Sequence, residues 1–274
     1  MISQADRAAR FTALHEQDGM FLMPNPWDVG SAKTLASLGY KALATTSSGF
    51  AATEGLEDYQ VTRDMKMAHI ARLASATDLP LSADLENGFG DTPEDCAETI
   101  RLGANAGLVG GSIEDFTRNP DAPQYEIARA ADRVRASVEA ARALPFHFTL
   151  TARAENFFTG IPDLADTIAR LQAYQDAGAD VLYAPGLRSV DDVRTVVSSV
   201  DRPVNVLAIP GMFPFTLPDL EAAGVKRASL GPLLLNTAYS ALAHAADEIL
   251  NQRTFSYQSQ PFATQEWASL MART

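Results

Sequence analysis

Short apolar, β-favouring runs alternate along this chain with longer runs in which apolar residues recur every three or four positions. The first pattern reads as strand and the second as amphipathic helix. FLMPNPWD (21–28) is a strand, and VGSAKTLASLG after it is a helix closing at Gly39. ALATTSSG (42–49) is next, followed by a loop and the helix RDMKMAHIARLASAT. LPLSADLENG (79–88) precedes a helix opened by DTPED, where Thr92 caps and Pro93 suits the first turn. GLVGGSIED (107–115) leads to a helix near 126–143. FHFTLTARAENF (146–157) leads to PDLADTIARLQAYQDAG, which ends at Gly178. VLYAP (181–185), VNVLA (204–208) and RASLG (227–231) complete the set, each followed by a helical stretch.

Strands alternating with helices predict a parallel sheet. Eight such units in 274 residues predict an α/β fold closed as a (β/α)8 TIM barrel. An open doubly wound sheet binding a dinucleotide would carry GxGxxG after its first strand, and none is there. No linker or composition shift divides residues 1–250, which read as one catalytic barrel. Residues 251–274 read as an extension whose Phe255, Tyr257, Phe262 and Trp267 pack on the barrel or on a neighbouring subunit.

Charge narrows the partners. With 34 acids against 22 bases the net charge is −12, which disfavours nucleic acid and anionic membranes. An anionic substrate must then be drawn in by a local cation. No stretch approaches the roughly 18 apolar residues of a membrane span. The segment MISQADRAARFTALHEQ lacks the apolar core of a signal peptide. Cys96 is the single cysteine, so no internal disulfide and no CxxC site can form. These features together lead to the expectation of a cytoplasmic enzyme.

Barrels place their chemistry at the C-terminal ends of the strands. Here those ends carry Asn25, Trp27 and Asp28; Thr45 to Gly49; Asp84 and Glu86; Glu114 and Asp115; and Arg153 and Glu155. Strand side chains alternate, so Asp84 and Glu86 should share a face, as should Arg153 and Glu155. Converging carboxylates repel unless a cation lies among them. The set Asp84, Glu86 and Glu114 offers oxygen alone, which suits Mg²⁺, with Mn²⁺ as the alternative, better than zinc. Arg153 is the natural fork for a substrate carboxylate or phosphonate. Thr46, Ser47, Ser48 and Gly49 offer hydroxyl and backbone donors to the same anion. Asp115 falls on the face opposite Glu114 and reads as a structural pair. His147 begins the fifth strand at the far end, and His15, His69 and His244 lie on helices, so no histidine joins the acids.

These residues resemble the isocitrate lyase/phosphoenolpyruvate mutase superfamily. The likeness runs from NPWDVGSAKTLASLGYKALATTSSG through SADLENGFG, GSIEDF and TARAENF to YQDAGADVLYAPG. At the third strand the pattern is acid, any residue, acid, then Gly-aromatic-Gly, here Asp84, Glu86 and Gly88-Phe89-Gly90. At the fourth it is Glu114-Asp115 and at the fifth Ala152-Arg153. The resemblance implies a homo-oligomer, dimer or tetramer, with its last helix exchanged between subunits. It implies Mg²⁺ held mainly by Asp84, with Glu86, Glu114 and Asp58 acting through water. It implies a 2-oxo acid or its enol bound by Ser48, Gly49 and Arg153, in a site that also takes in Trp27, Thr46, Ser47 and Asn205. Asp58, Arg153 and Glu114 are the residues expected to act in catalysis.

Departures from the family pattern point to the branch. The lyases carry Lys-(Lys/Arg)-Cys-Gly-His after the fourth strand, where this chain reads FTRNPDAPQYEI, without Cys or His. The mutases carry an asparagine on a longer gating loop, for which Asn119 is the candidate, and a histidine where this chain has Pro185. The expectation is a Mg²⁺-dependent lyase cleaving a C–C bond in a small 2-oxo dicarboxylate through a pyruvate enolate. The alternatives are a P–C bond enzyme, hydrolase or mutase, and a non-catalytic binder of 2-oxo acids. Pro210, Met212, Phe213 and Phe215, in AIPGMFPFTL, read as an apolar wall or as subunit packing.

Overall fold

The computed structural model describes residues 2–209, 215–259 and 264–272. Pro210, Met212, Phe213 and Phe262 lie outside the described residues. Eight parallel strands form the sheet: β1 (Phe21–Met23), β2 (Leu43–Ala44), β3 (Leu81–Asp84), β4 (Gly110–Glu114), β5 (Thr149–Arg153), β6 (Val181–Tyr183), β7 (Val204–Leu207) and β8 (Arg227–Ser229). They run in the order β1-β8-β7-β6-β5-β4-β3-β2. The seam between β1 and β2 is bridged by the Ala44 N–H, which donates to Pro24 O at 3.1 Å. Asn25 clasps the same seam. Its Nδ2 donates to Thr45 O at 3.2 Å, and its Oδ1 accepts from Leu230 N at 2.9 Å. The architecture is a (β/α)8 barrel, as the alternation of the sequence requires.

Local chemistry fixes the helices. Asp28 caps Val29–Ser37 through a reciprocal box with Ser31, and Thr92 caps Pro93–Asn105 through one with Asp95. Outward strand residues such as Leu150, Ala152 and Leu182 bury against the helix ring, in a core that includes Ile100, Val134 and Leu171. The strands are shorter than their apolar runs. Polar residues after Ala44, Asp84 and Arg153 leave the ladder and turn into loops at the mouth.

The far end is closed by the first helix, Gln4–Glu16. Phe11 is fully buried there with Phe21, Met23 and Val109. Gln4 Nε2 donates to Ala104 O at 2.7 Å and Leu108 O at 2.8 Å, and Arg7 Nη1 donates to Ala74 O at 2.8 Å. The final helix, Thr264–Ala272, returns to the barrel, and its Trp267 lies beside Gly30 on the Val29–Ser37 helix. Phe255 and Tyr257 are exposed. Among the described residues no helix is long and apolar enough to cross a membrane.

Candidate active site

A cavity of about 400 Å³ opens at the C-terminal ends of the strands. Of the residues expected at the site, Thr46, Ser47, Ser48, Asp58, Asp84, Arg153 and Asn205 line it. Asp84 ends β3 and Arg153 ends β5, so the sheet itself fixes where both side chains start.

Arg153 is the hub. Its Nη1 lies 3.4 Å from Asp84 Oδ2 and 3.3 Å from Glu114 Oε2, and its Nε pairs with Glu155 Oε1. Burial alone would lower its pKa, but Glu155, Glu114 and Asp84 outweigh burial and hold the guanidinium firmly charged. For Asp84, burial opposes ionisation, yet Arg153 and Lys66 win and keep the carboxyl below its ordinary value. Ser47 Oγ adds a hydrogen bond to Asp84 Oδ2 at 3.1 Å. Asp58 stands at the rim, its carboxyl raised by desolvation and by the charge of Asp84.

Glu86 and Glu114 sit behind this front, outside the cavity wall. The expectation that Glu86 follows Asp84 by strand alternation is corrected here. The strand ends at Asp84, and Glu86 adopts a left-handed φ of 51° in the turn that follows. Its N–H donates to Asp84 Oδ1 at 3.1 Å, while Arg118 from the next loop pairs with its Oε2. Burial, then Asp84, pushes the Glu86 pKa up to about 7. Burial also raises Glu114, against the pull of Arg153.

Two further residues expected at the site lie off the cavity wall. Trp27 faces a separate hollow with Phe50, His69 and Tyr239, because the chain has left β1 before reaching it. The Gly49 N–H is engaged by the Thr46 hydroxyl at 3.2 Å, capping the helix Ser47–Thr53, and Gly49 does not line the cavity. Asn119 also lies outside the cavity wall, and its Oδ1 accepts from Asp121 N at 3.0 Å. Asp115 is the structural pair its face implied. It accepts from Tyr174 Oη at 2.6 Å, Arg170 Nη1 at 3.0 Å and Glu155 N at 2.9 Å.

The residues fit a hydrated divalent ion. Among the described residues no three His, Cys, Asp or Glu side chains converge to bind one directly. Asp84 is instead one anionic carboxylate with others near it. Oε1 of Glu86 and Oε1 of Glu114 are buried without a hydrogen-bond partner, while Glu114 Oε2 has the Arg153 ion pair. Buried polar atoms without partners are rare, and an ion's water shell would satisfy them.

Several site residues were not singled out from sequence. Tyr59, Tyr183, Ser229 and Arg227 line the cavity. Lys66 is fully buried, with no hydrogen-bond partner for Nζ. Its signal was present in the spacing, since Lys66, His69, Ile70 and Leu73 form the buried stripe of the Arg63–Ala74 helix.

A barrel whose mouth gathers acids around a buried arginine, over a cavity sized for a small metabolite, has the layout of an enzyme acting on a small anionic molecule. Residues 11–250 match the family model described as phosphoenolpyruvate phosphomutase, and the chain belongs to that family. It is 50% identical to a Burkholderia cenocepacia J2315 protein provisionally assigned as a lyase/mutase. That structure superposes with a TM-score of 0.96, covering 98% of this chain and 97% of the other. The 2-methylisocitrate lyase of Escherichia coli K12 is 30% identical, over 78% of this chain and 73% of that one. Oxaloacetate acetylhydrolase bound to oxalate shares the fold, with a TM-score of 0.86 at 24% identity, covering 98% of this chain and 94% of that one.

Proposed function

We propose that this enzyme cleaves a C–C bond in a small 2-oxo dicarboxylate of the oxaloacetate type. The observation that supports this most is Arg153, a permanently charged fork at the end of β5, set beside the anionic Asp84 on the wall of a metabolite-sized cavity at the barrel mouth. The missing Cys and His after the fourth strand argue against an isocitrate-type lyase, which places its acid–base cysteine there.

The chain's own residues divide the work. Arg153 holds the substrate carboxylate and steadies the oxygen that gains charge as the bond breaks. Ser48 supplies a hydroxyl donor beside it, while Ser47 holds Asp84 in place. As the C–C bond breaks, its electron pair moves onto the 2-oxo unit and forms an enolate, and the departing carboxylate leaves as carbon dioxide. Asp58, at the rim, carries a proton and returns it to the carbon left behind. Glu114 and Glu155 keep Arg153 charged and aimed. A Mg²⁺ ion held by Asp84, with Glu86 and Glu114 reached through water, would add Lewis-acid charge at the 2-oxo oxygen.

The test is pyruvate formation from oxaloacetate by the purified protein with Mg²⁺, with and without EDTA, and with Arg153→Ala. Turnover that stops with EDTA and falls at least a hundredfold in Arg153→Ala supports the reading. Full activity in both cases ends it.

A further inference from the structure

The cavity has a second arginine. Arg227 begins β8, its side chain is buried, and it forms part of the cavity wall. Among the described residues the cations lining the cavity are Arg153 and Arg227, and their surroundings differ. Arg153 is ringed by Asp84, Glu114 and Glu155. Arg227 has no carboxylate within 4.0 Å among the described residues.

Neutral acceptors hold it instead. Its Nε donates to Asn205 Oδ1 at 2.9 Å and its Nη2 to Thr151 Oγ1 at 3.0 Å. Its Nη1 lies 3.3 Å from His15 Nε2. His15 accepts there as a neutral ring, because burial and then Arg227 push its pKa down to about 3, and its Nδ1 faces Phe11 O at 2.8 Å. Dipoles can solvate the guanidinium, but they leave its charge uncancelled. Three of its five N–H groups are engaged, so two remain. A buried cation without a counter-charge is costly, and such groups concentrate at sites that receive an opposite charge from a ligand.

Its neighbours are polar and point the same way. Because Asn205 Oδ1 takes the Arg227 bond, the amide Nδ2 is turned to Ser229 Oγ at 3.1 Å. Tyr183 and Ser229 also line the wall, nearer the mouth: Tyr183 pairs in register with Arg153, which lies 5.2 Å over its ring, and Ser229 ends β8. Depth follows from β5. Arg227 bonds Thr151, and Arg153 stands two residues further along the same face of that strand. At about 3.3 Å per residue the two levels are roughly 7 Å apart, a separation on the scale of a short dicarboxylate.

We propose that Arg227, with Asn205, is the floor subsite that receives the second carboxylate of the substrate while Arg153 holds the first; in oxaloacetate that second carboxylate is the departing one, which Arg227 positions while Arg153 meets the charge of the enolate. Substrates would therefore be dianions lying along the barrel axis, and a 2-oxo acid with an apolar tail would leave Arg227 buried and unpaired. This deepens the lyase reading, on which the choice of a 2-oxo acid rests, but its test does not require turnover.

The experiment is calorimetric titration of the Mg²⁺-loaded protein with two matched five-carbon ligands, 2-oxoglutarate and 2-oxopentanoate, and with oxalate, which is too short to reach the floor. Neither long ligand carries a carboxylate on the carbon next to the 2-oxo group, so neither can be cleaved as proposed above. Wild type should bind 2-oxoglutarate about tenfold or more tightly than 2-oxopentanoate. Arg227→Met should abolish that preference and leave oxalate binding within about twofold, and Arg227→Lys should keep part of it. Wild-type protein indifferent to the second carboxylate overturns the proposal without any variant. Equal loss of oxalate and 2-oxoglutarate binding in a folded Arg227→Met protein also overturns it, since Arg227 would then only support the barrel. A protein that discriminates the ligands yet never cleaves oxaloacetate would remove the lyase reading and leave the floor subsite standing.

Discussion

Arg118 crosses from the loop after β4 to pair with Glu86, and its guanidinium lies 5.3 Å over the ring of Tyr59. A residue with a left-handed φ of 64° thus joins the loop, the cavity wall and the buried acid behind Asp84. In Arg118→Ala, Glu86 loses its nearest cation, and its carboxyl should titrate above the value of about 7 it holds now. Carbon NMR of the labelled side chain measures this; an unchanged or lower midpoint contradicts it.

Stability should depend on pH through the same acid. The folded pKa of Glu86, about 7, lies above its ordinary 4.5, so the folded protein binds more protons than the unfolded chain between those values. Stability from this group is therefore present below about pH 4.5 and is lost as pH rises through about 7. Thermal melts of EDTA-treated protein should show melting temperature falling across that window. Added Mg²⁺ should stabilise more at pH 8 than at pH 5.5, because protons no longer compete with the ion.

Lys66 places a fully buried ammonium close enough to feel Asp84 and Glu86. Burial lowers the Lys66 pKa against the pull of Asp84 and Glu86, and in its protonated form the side chain repels a divalent ion. Lys66→Met should tighten Mg²⁺ binding by roughly three- to tenfold, read by calorimetry, an effect consistent with screened charges several ångströms apart. Weaker binding in a folded variant would mean that the ammonium orders the acids more than it opposes the ion.

Asp115 should behave as a structural residue. Asp115→Ala leaves Arg170 with Asp166 as its remaining carboxylate and Tyr174 without its acceptor. A loss of about 3–5 kcal/mol in urea unfolding is expected. Activity should fall too, because the Glu155 backbone is held by Asp115 Oδ1.

How much of this was legible in the sequence depended on which forces set each feature. Burial periodicity is local, so all eight strands and the convergence of Asp84 and Arg153 on the barrel mouth could be read from one-dimensional spacing. Glu86 was placed by the wrong rule, because alternation holds only inside a strand and this residue sits in a left-handed turn. Trp27 was misplaced for a similar reason, two residues after Asn25 and already off the ladder. Arg227 shares its face with Ser229 in RASLG, but nothing in that short run says that no acid will meet it. That fact belongs to the closed barrel, where Thr151, Asn205 and His15 arrive from three distant segments.

The helix Gln4–Glu16 seals the end of the barrel opposite the mouth, and its leading residues hold the loops there: Ile2 N donates to Asp78 Oδ1 at 3.3 Å. A sensor chip or resin grafted through an introduced cysteine on the exposed face of this helix would consequently grip the molecule by its base. Every immobilised copy would then present its opening to the flowing solution, with diffusion to the pocket unobstructed by the support.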